Sequence, residues 1–303
     1  MSRLHVLVLG SAAGGGYPQW NCRGPISSLF WEGDTRVEER SQSSIAVSPD
    51  GVTWALLNCS PDIRQQIIRT PALQPKEPPR HTPLASVLLT NGDIDHIAGL
   101  LSLRERQPFR LLATPGVLEV LKENRIFDAL DPTLVPRQAV ALGESISLVG
   151  DLVAEIFPVP GKVPLYMERG EPEIGAESET TVGVKITAPN GPTVFYVPGC
   201  AHVPESLKTR IAGADLLLFD GTLWRDDEMQ LAGVGQKTGH RMGHISMSGP
   251  EGSLAAFRDV ELGRRSFIHI NNTNPVLVRD SRERQEVEAA GWDVAYDGQE
   301  IVL

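Results

Sequence analysis

The stretch LLTNGDIDHIAGLL, residues 88–101, decides how the rest of the chain is read. It opens as an apolar strand, breaks at Asn91-Gly92, sets Asp93, Asp95 and His96 within four positions, and turns apolar again at helical spacing. A strand that stops at a turn projects the next side chains from its end, and carboxylates and imidazoles gathered there can converge on one cation. The same letters also suit an ordinary polar turn, because Asn-Gly is a common hairpin turn and Asp a common turn and cap residue. Both readings stand on these residues alone.

Composition narrows the classes around that stretch. The 303 residues are 41% hydrophobic and 22% charged, enough to bury a large core, and nothing suggests disorder. The net charge of −10 comes without a basic run, which argues against a grip on nucleic-acid phosphates. Cys22, Cys59 and Cys200 are far apart and odd in number, so they predict no disulfide framework and point to a reducing compartment such as the cytoplasm. Arg3 before an apolar stretch invites a signal-peptide reading, but residues 4–9 are too short for an h-region and His5 interrupts them. They read better as a buried first strand opening into a glycine-rich loop. That loop lacks GxGxxG spacing, since Gly10 is followed by Gly14, Gly15 and Gly16. No segment approaches the roughly 18 consecutive apolar residues of a membrane span.

The remaining pattern is mixed α/β. Residues 43–48 and 52–58 are β-rich runs joined by Pro49-Asp50-Gly51, which predicts a hairpin. Ser60 and Pro61 then signal a helix start, with Ile63, Ile67 and Ile68 on one stripe. After the DIDH turn, IAGLLSLRE reads as helical. Further strands are expected at 110–113, 153–157, 182–188, 193–197, 215–219 and 266–270, and helices near 115–123, 204–212, 249–259 and 281–290. No composition shift divides the chain, so residues 1–303 read as one domain. Residues 161–181 lack apolar periodicity and are expected to form a surface or lid loop near the site.

This order of elements, with a glycine-rich loop after the first strand and histidines at later strand ends, resembles the metallo-β-lactamase superfamily. The resemblance implies a four-layer αββα sandwich with mixed sheets. The superfamily signature HxHxDH falls on Asn91 to His96: Asp95 and His96 keep it, while Asn91 and Asp93 replace two histidines. Lys162, in FPVPGKVP, stands where a third histidine usually follows a Pro-Gly pair, and Cys200, in VPGC, where a metal-bridging aspartate is usual. A late strand still ends in His269. On this alignment one metal remains, held by Asp95, His96 and His269, the two-imidazole and one-carboxylate set of non-haem iron(II) oxygenases. Asp93 and Asp220 are further oxygen donors that bind the metal or orient its ligands.

The blocks LGSAAGGGYPQWNC, LLTNGDIDHIAGLL, FDGTLW, GHRMGHISM and HINNTNPVL together resemble the pyrroloquinoline quinone (PQQ) biosynthesis protein B family over residues 3–303. The resemblance implies a step in making PQQ from a glutamate and a tyrosine of a precursor peptide. It implies iron(II)- and O2-dependent hydroxylation of the tyrosine ring of a Glu-Tyr di- or oligopeptide, with other PQQ-pathway proteins as further partners. Two alternatives remain open: a soluble carrier moving PQQ or its precursor toward the periplasm, and a metal-dependent hydrolase. Dismantling a two-metal water-activating site for harder oxygen ligands favours the oxygenase, and zinc is expected to be able to occupy the site in place of iron.

His244, in MGHISM, is the candidate acid or base, and Asn91 a second catalytic candidate. Lys162 is a candidate contact for a substrate carboxylate. His240, four residues before His244, would share a helix face with it, although Gly239 and Gly243 argue against a helix there. His202 has similar standing. Cys200 reads either as a small buried residue or, from its position, as a ligand. His5 and His81 read as structural or solvated. Family members commonly carry further cysteines after QWNC, but Arg23 to Ser27 follow Cys22 here, so no cysteine-zinc knuckle is expected and the order of residues 17–33 is left in question.

Overall fold

Runs such as VLVL at residues 6–9 and LLLF at residues 216–219 are apolar at every position, the pattern of strands covered on both faces. The computed structural model, which describes residues 3–171 and 173–303, builds two sheets from such runs. The strands in chain order are β1 (His5–Gly10), β2 (Ser44–Ser48), β3 (Trp54–Leu57), β4 (Leu84–Leu88), β5 (Arg110–Ala113), β6 (Arg137–Ala139) and β7 (Ser145–Val149). They continue as β8 (Leu152–Gly161), β9 (Ala176–Thr187), β10 (Thr193–Val197), β11 (Leu216–Asp220), β12 (Arg264–Ile268), β13 (Asp293–Val294) and β14 (Glu300–Val302). One sheet has the order β14-β1-β2-β3-β4-β5-β6 and the other β13-β12-β11-β10-β9-β8-β7.

Side-chain alternation sorts the apolar residues into layers. Val6, Val8, Ile45 and Val47 meet Val194, Tyr196, Leu216 and Leu218 between the sheets. Leu7, Leu9 and Ala46 face the opposite way, under Ile63 of the helix Ile63–Arg69 and Val117, Val120 and Leu121 of the helix Pro115–Glu123. Phe195, Val197, Leu217 and Phe219 form the other outer face, under Leu207, Ile211, Phe257 and Val287. The result is the αββα sandwich the resemblance implies.

Strands β3 to β6 run parallel, as do β10 to β13, so each set gathers its carboxyl ends at one edge of its sheet. Loops that leave such ends are where open α/β sheets place their ligands. The β2–β3 hairpin forms as predicted, with Gly51 at φ 72.

Several local expectations are corrected. The helix after Ser60 begins at Ile63, and Ile68 is 49% exposed, so the buried stripe is Ile63 with Gln66. The α-helix expected in IAGLLSLRE instead falls on the DIDH segment, over Ile94–Ile97, and IAGLLSLRE continues it only as a 3-10 turn over Ala98–Leu103. Gly99 is the reason: its amide donates to Cys59 O at 2.9 Å rather than back along a helix, and a Cβ there would stand 2.0 Å from Ser60 O. The expected helix at 249–259 shrinks to Ser253–Ala256 because the chain turns tightly at Gly252, where a Cβ would meet Ser248 O at 2.2 Å. Residues 161–181 are not one loop, since β8 extends to Gly161 and β9 starts at Ala176, leaving a strap that carries a 3-10 turn at Leu165–Met167. Residues 17–33 are held by the helix Pro25–Trp31, by Tyr17 donating to Ile26 O, and by Trp31 donating to Cys22 O. Among the described residues, no helix is long and apolar enough to cross a membrane.

Candidate metal centre

Three chain segments deliver the site. The first leaves β4 and is fixed by Asn58, at φ 62 just past β3, whose Oδ1 accepts from Thr90 N at 2.8 Å. Asn91 follows, and the short helix Ile94–Ile97 then carries Asp95 and His96. The second is the end of β11, where Asp220 is fully buried. The third is His269, one residue past β12, whose φ of 61 turns the chain out of the strand and toward the site. A left-handed conformation costs a non-glycine residue of order 1–3 kcal/mol, and such strain concentrates at functional sites.

Asp95, His96 and His269 bring one donor atom each within 4.8 Å of one another. Asp95 Oδ2 lies 3.1 Å from His269 Nε2 and 3.7 Å from His96 Nε2. Two donors bound to one ion at about 2.1 Å stand about 3.0 Å apart at a right angle and about 3.4 Å at a tetrahedral angle. The observed separations therefore suit a single ion. Asn91 Oδ1 accepts from Asp93 N at 3.0 Å and lies 2.7 Å from His96 Nδ1. An oxygen that already accepts can only accept again, so Nδ1 carries the imidazole proton and Nε2 keeps its lone pair. His96 Nε2 is buried with no hydrogen-bond partner. A bare, buried lone pair beside a carboxylate and a second imidazole is the donor set of a metal face. Burial also pushes His96 down to about 4, which keeps it neutral and able to ligate at neutral pH. Burial alone would raise the Asp95 carboxyl, but the His96 and His269 imidazoles beside it outweigh that effect and hold it well below its usual range.

Thr222 organises the other half. Its Oγ1 lies 2.8 Å from His269 Nδ1, donates to Asp220 Oδ1 at 2.7 Å, and is 3.1 Å from His244 Nδ1. Asp220 Oδ2 accepts from Cys200 N at 2.8 Å and pairs with His244 Nδ1 at 2.7 Å. Asp220, His244 and His269 form a second close group. However, both Asp220 oxygens are already engaged, with Thr222 N donating to Oδ1 as well, so Asp220 fits an orienting role better than a ligand role. Burial depresses His244, but the Asp220 charge and hydrogen bond prevail and raise it. With Nδ1 committed to Asp220, Nε2 is left for proton transfer.

Asn91, Asp95, His96, Thr222, His244 and His269 line a cavity of about 300 Å³ walled by Ala13 and Gly14 of the glycine-rich loop and by Lys162, Leu165, Lys237, Met242 and Asn271. A Cβ on Gly14 would lie 3.4 Å from Asp95 Cγ, so this loop is a wall of the site. Tyr166 donates to Gly92 O, tying the strap to the DIDH turn. Other candidates fall elsewhere. Asp93 lines the cavity, raised by burial and the Asp95 charge, but belongs to neither close group. Asn91, expected as a catalytic side chain, is spent on His96. The Cys200 thiol turns away to His202 O at 3.0 Å. His240 is exposed on the one-turn helix Gly239–Met242 and does not line the cavity, while His202 borders a separate groove. Cys22 Sγ accepts from Gly24 N, and no ligand group found among the described residues includes it. Lys237 carries no motif signal, and Thr222 and Asn271, though inside FDGTLW and HINNTNPVL, take their places in the site only from the fold.

Residues 53–270 match a family model described as a beta-lactamase superfamily domain. The coenzyme PQQ synthesis protein B of Methylorubrum extorquens strain PA1 is 62% identical to this chain, covering 97% of it and 98% of its own length. The chain belongs to the coenzyme PQQ synthesis protein B family. The family member of Xanthomonas campestris pv. campestris is 54% identical over 99% of this chain and 100% of its own. The zinc-bound crystal structure of PqqB from Methylobacterium extorquens matches with a TM-score of 0.96 at 61% identity, covering 98% of this chain and 99% of that one. A diphosphatase of the PhnP family, at TM-score 0.69 and 22% identity, shares the fold. Membership of the PqqB family places the chain in PQQ biosynthesis, and the zinc-bound relative agrees with a metal site in this fold.

Proposed function

We propose that this PqqB-family chain hydroxylates the tyrosine ring of a Glu-Tyr precursor of PQQ, using iron(II) and O2. The observation that carries the reading is the face formed by Asp95, His96 and His269, with His96 Nε2 bare and buried. Asp95, His96 and His269 would hold an iron(II) ion there, and such an ion would supply the dioxygen-activating chemistry. In the overall reaction a ring C–H becomes C–OH and the second oxygen atom leaves as water, with two electrons and two protons supplied by an external reductant.

The chain's own residues supply the rest. Asn91 and Thr222 lock the tautomers of His96 and His269, so that their Nε2 lone pairs point inward. Asp220 holds His244 Nδ1, which frees His244 Nε2 to take the phenol proton and makes His244 the acid–base residue of the site. Tyr166 ties the 3-10 turn Leu165–Met167 to Gly92, which sets Leu165 on the cavity wall. A hydrolase would need Asp220, His244 and His269 to hold a second ion, and the engaged Asp220 oxygens and the shared His269 speak against it. A carrier gives no reason for the oriented histidines.

The test is anaerobic loading with iron(II), followed by Glu-Tyr, an excess of a two-electron reductant such as ascorbate, and isotopically labelled dioxygen. One labelled oxygen per tyrosine ring is expected, with the rate lowered at least about 100-fold in His244→Ala. An iron-loaded protein that leaves the ring unlabelled refutes the proposal.

A further inference from the structure

A carboxylate already sits on two cations beside this cavity. Glu168 Oε1 accepts from Lys162 Nζ at 2.9 Å and from Arg241 Nη1 at 3.0 Å, and its Oε2 accepts from Arg241 Nη2 at 2.7 Å. The Glu168 and Lys162 side chains are 8% and 12% exposed. Arg241 grips both oxygens as a fork, which neutralises Glu168 without calling on Lys162. Lys162 therefore has charge to spare. Its stem lies along Gly243, where a Cβ would come within 3.1 Å of Lys162 Cγ, and its side chain lines the cavity. An ammonium has three N–H donors. One goes to Glu168 and one to Val163 O at 3.1 Å, which leaves the third for a ligand.

Surroundings define what that ligand is. Asp93 lines the same cavity beside the Asp95 metal ligand, in a chain of net charge −10, so an anionic substrate group away from the metal gains from a cation of the protein's own. Lys162 and Lys237 are the two ammonium groups on the wall. Leu165, 54% exposed, and Met242 offer apolar surface on the same wall. An aromatic ring with a carboxylate a few bonds away satisfies both.

We propose that Lys162 is the specificity-determining residue of this site, binding a free carboxylate of a phenol-bearing amino acid or short peptide, with Glu168 and Arg241 as the positioning pair that aims it. The proposal rests on the hydroxylase reading only for the phenol. The probes are 3-(4-hydroxyphenyl)propanoate and its primary amide, which differ in the carboxylate alone, titrated calorimetrically into zinc-loaded protein. A charge-assisted hydrogen bond predicts that wild type prefers the acid by about tenfold or more. Lys162→Gln should erase the preference. Glu168→Gln, which removes the aiming charge while keeping the shape, should erase part of it. Equal binding of acid and amide by wild type, absence of binding included, overturns the proposal, as does an unchanged preference in Lys162→Gln. An intact preference in a protein that never oxygenates Glu-Tyr supports this assignment and refutes the hydroxylase reading separately.

Discussion

Replacing Asn91 by alanine strips His96 of the acceptor that fixes its tautomer. Asn91 Oδ1 serves two donors, the buried His96 Nδ1 at 2.7 Å and the part-buried Asp93 N at 3.0 Å. Each unmet donor costs about 1–3 kcal/mol unless water fills the space. The proton on His96 is then free to sit on Nε2, where it blocks the lone pair. Loss of a partner that orients a metal-bound histidine typically weakens metal affinity about 10–100-fold, and that range is expected for Asn91→Ala. Asn91→Asp restores an acceptor, now charged, and should return affinity to the wild-type level or tighter. Zinc affinity by competition with a chromophoric chelator, alongside thermal unfolding of each metal-free variant, separates this effect from a general loss of fold. If Asn91→Ala binds zinc as tightly as wild type, the tautomer argument fails.

Two further outcomes follow from the same geometry. Thr222→Val keeps the shape but removes the bonds to Asp220 Oδ1 and His269 Nδ1, so zinc affinity should again fall about 10–100-fold in the chelator assay. The buried Glu228 carboxyl, raised by burial to about 7 although Thr273 and Trp224 N bond to it, should make stability pH-dependent. A carboxyl whose folded value lies above its unfolded value of 4.5 stabilises the fold at acid pH, and that stability is lost as pH rises through 7. In urea unfolding, the stability of wild type minus that of Glu228→Gln should therefore drop by about 3 kcal/mol between pH 4.5 and pH 8; a difference that stays level contradicts the assignment.

Much of this site is written in local sequence because its ligands sit at punctuated strand ends. DIDH follows an apolar run and a turn signal, and His269 closes another apolar run, so both stand out without coordinates. Thr222 does not, because a threonine after Asp-Gly has no signature until β11 and β12 are side by side and the His244 loop folds over them. Asn91 is legible as a departure from a histidine pattern, yet its job depends on a contact five residues away that periodicity cannot show. The fold follows the same division. Strands buried on both faces are plain in their unbroken apolar runs, whereas β6, β7 and β14 are short edge strands with polar positions and escape notice. Gly99 and Gly252 end or divert expected helices through contacts with backbone that is remote or locally folded back, which a helical period does not encode.

The central claim is that Asp95, His96 and His269 hold one working iron. Anaerobic iron(II) titration with X-ray absorption spectroscopy tests it directly, in wild type and in Asp95→Ala, His96→Ala and His269→Ala. One iron per chain is expected, coordinated by two imidazoles with oxygen donors and no sulfur, with tight binding lost in each variant. Two irons per chain, a thiolate ligand, or undiminished binding in any of the three variants would contradict it.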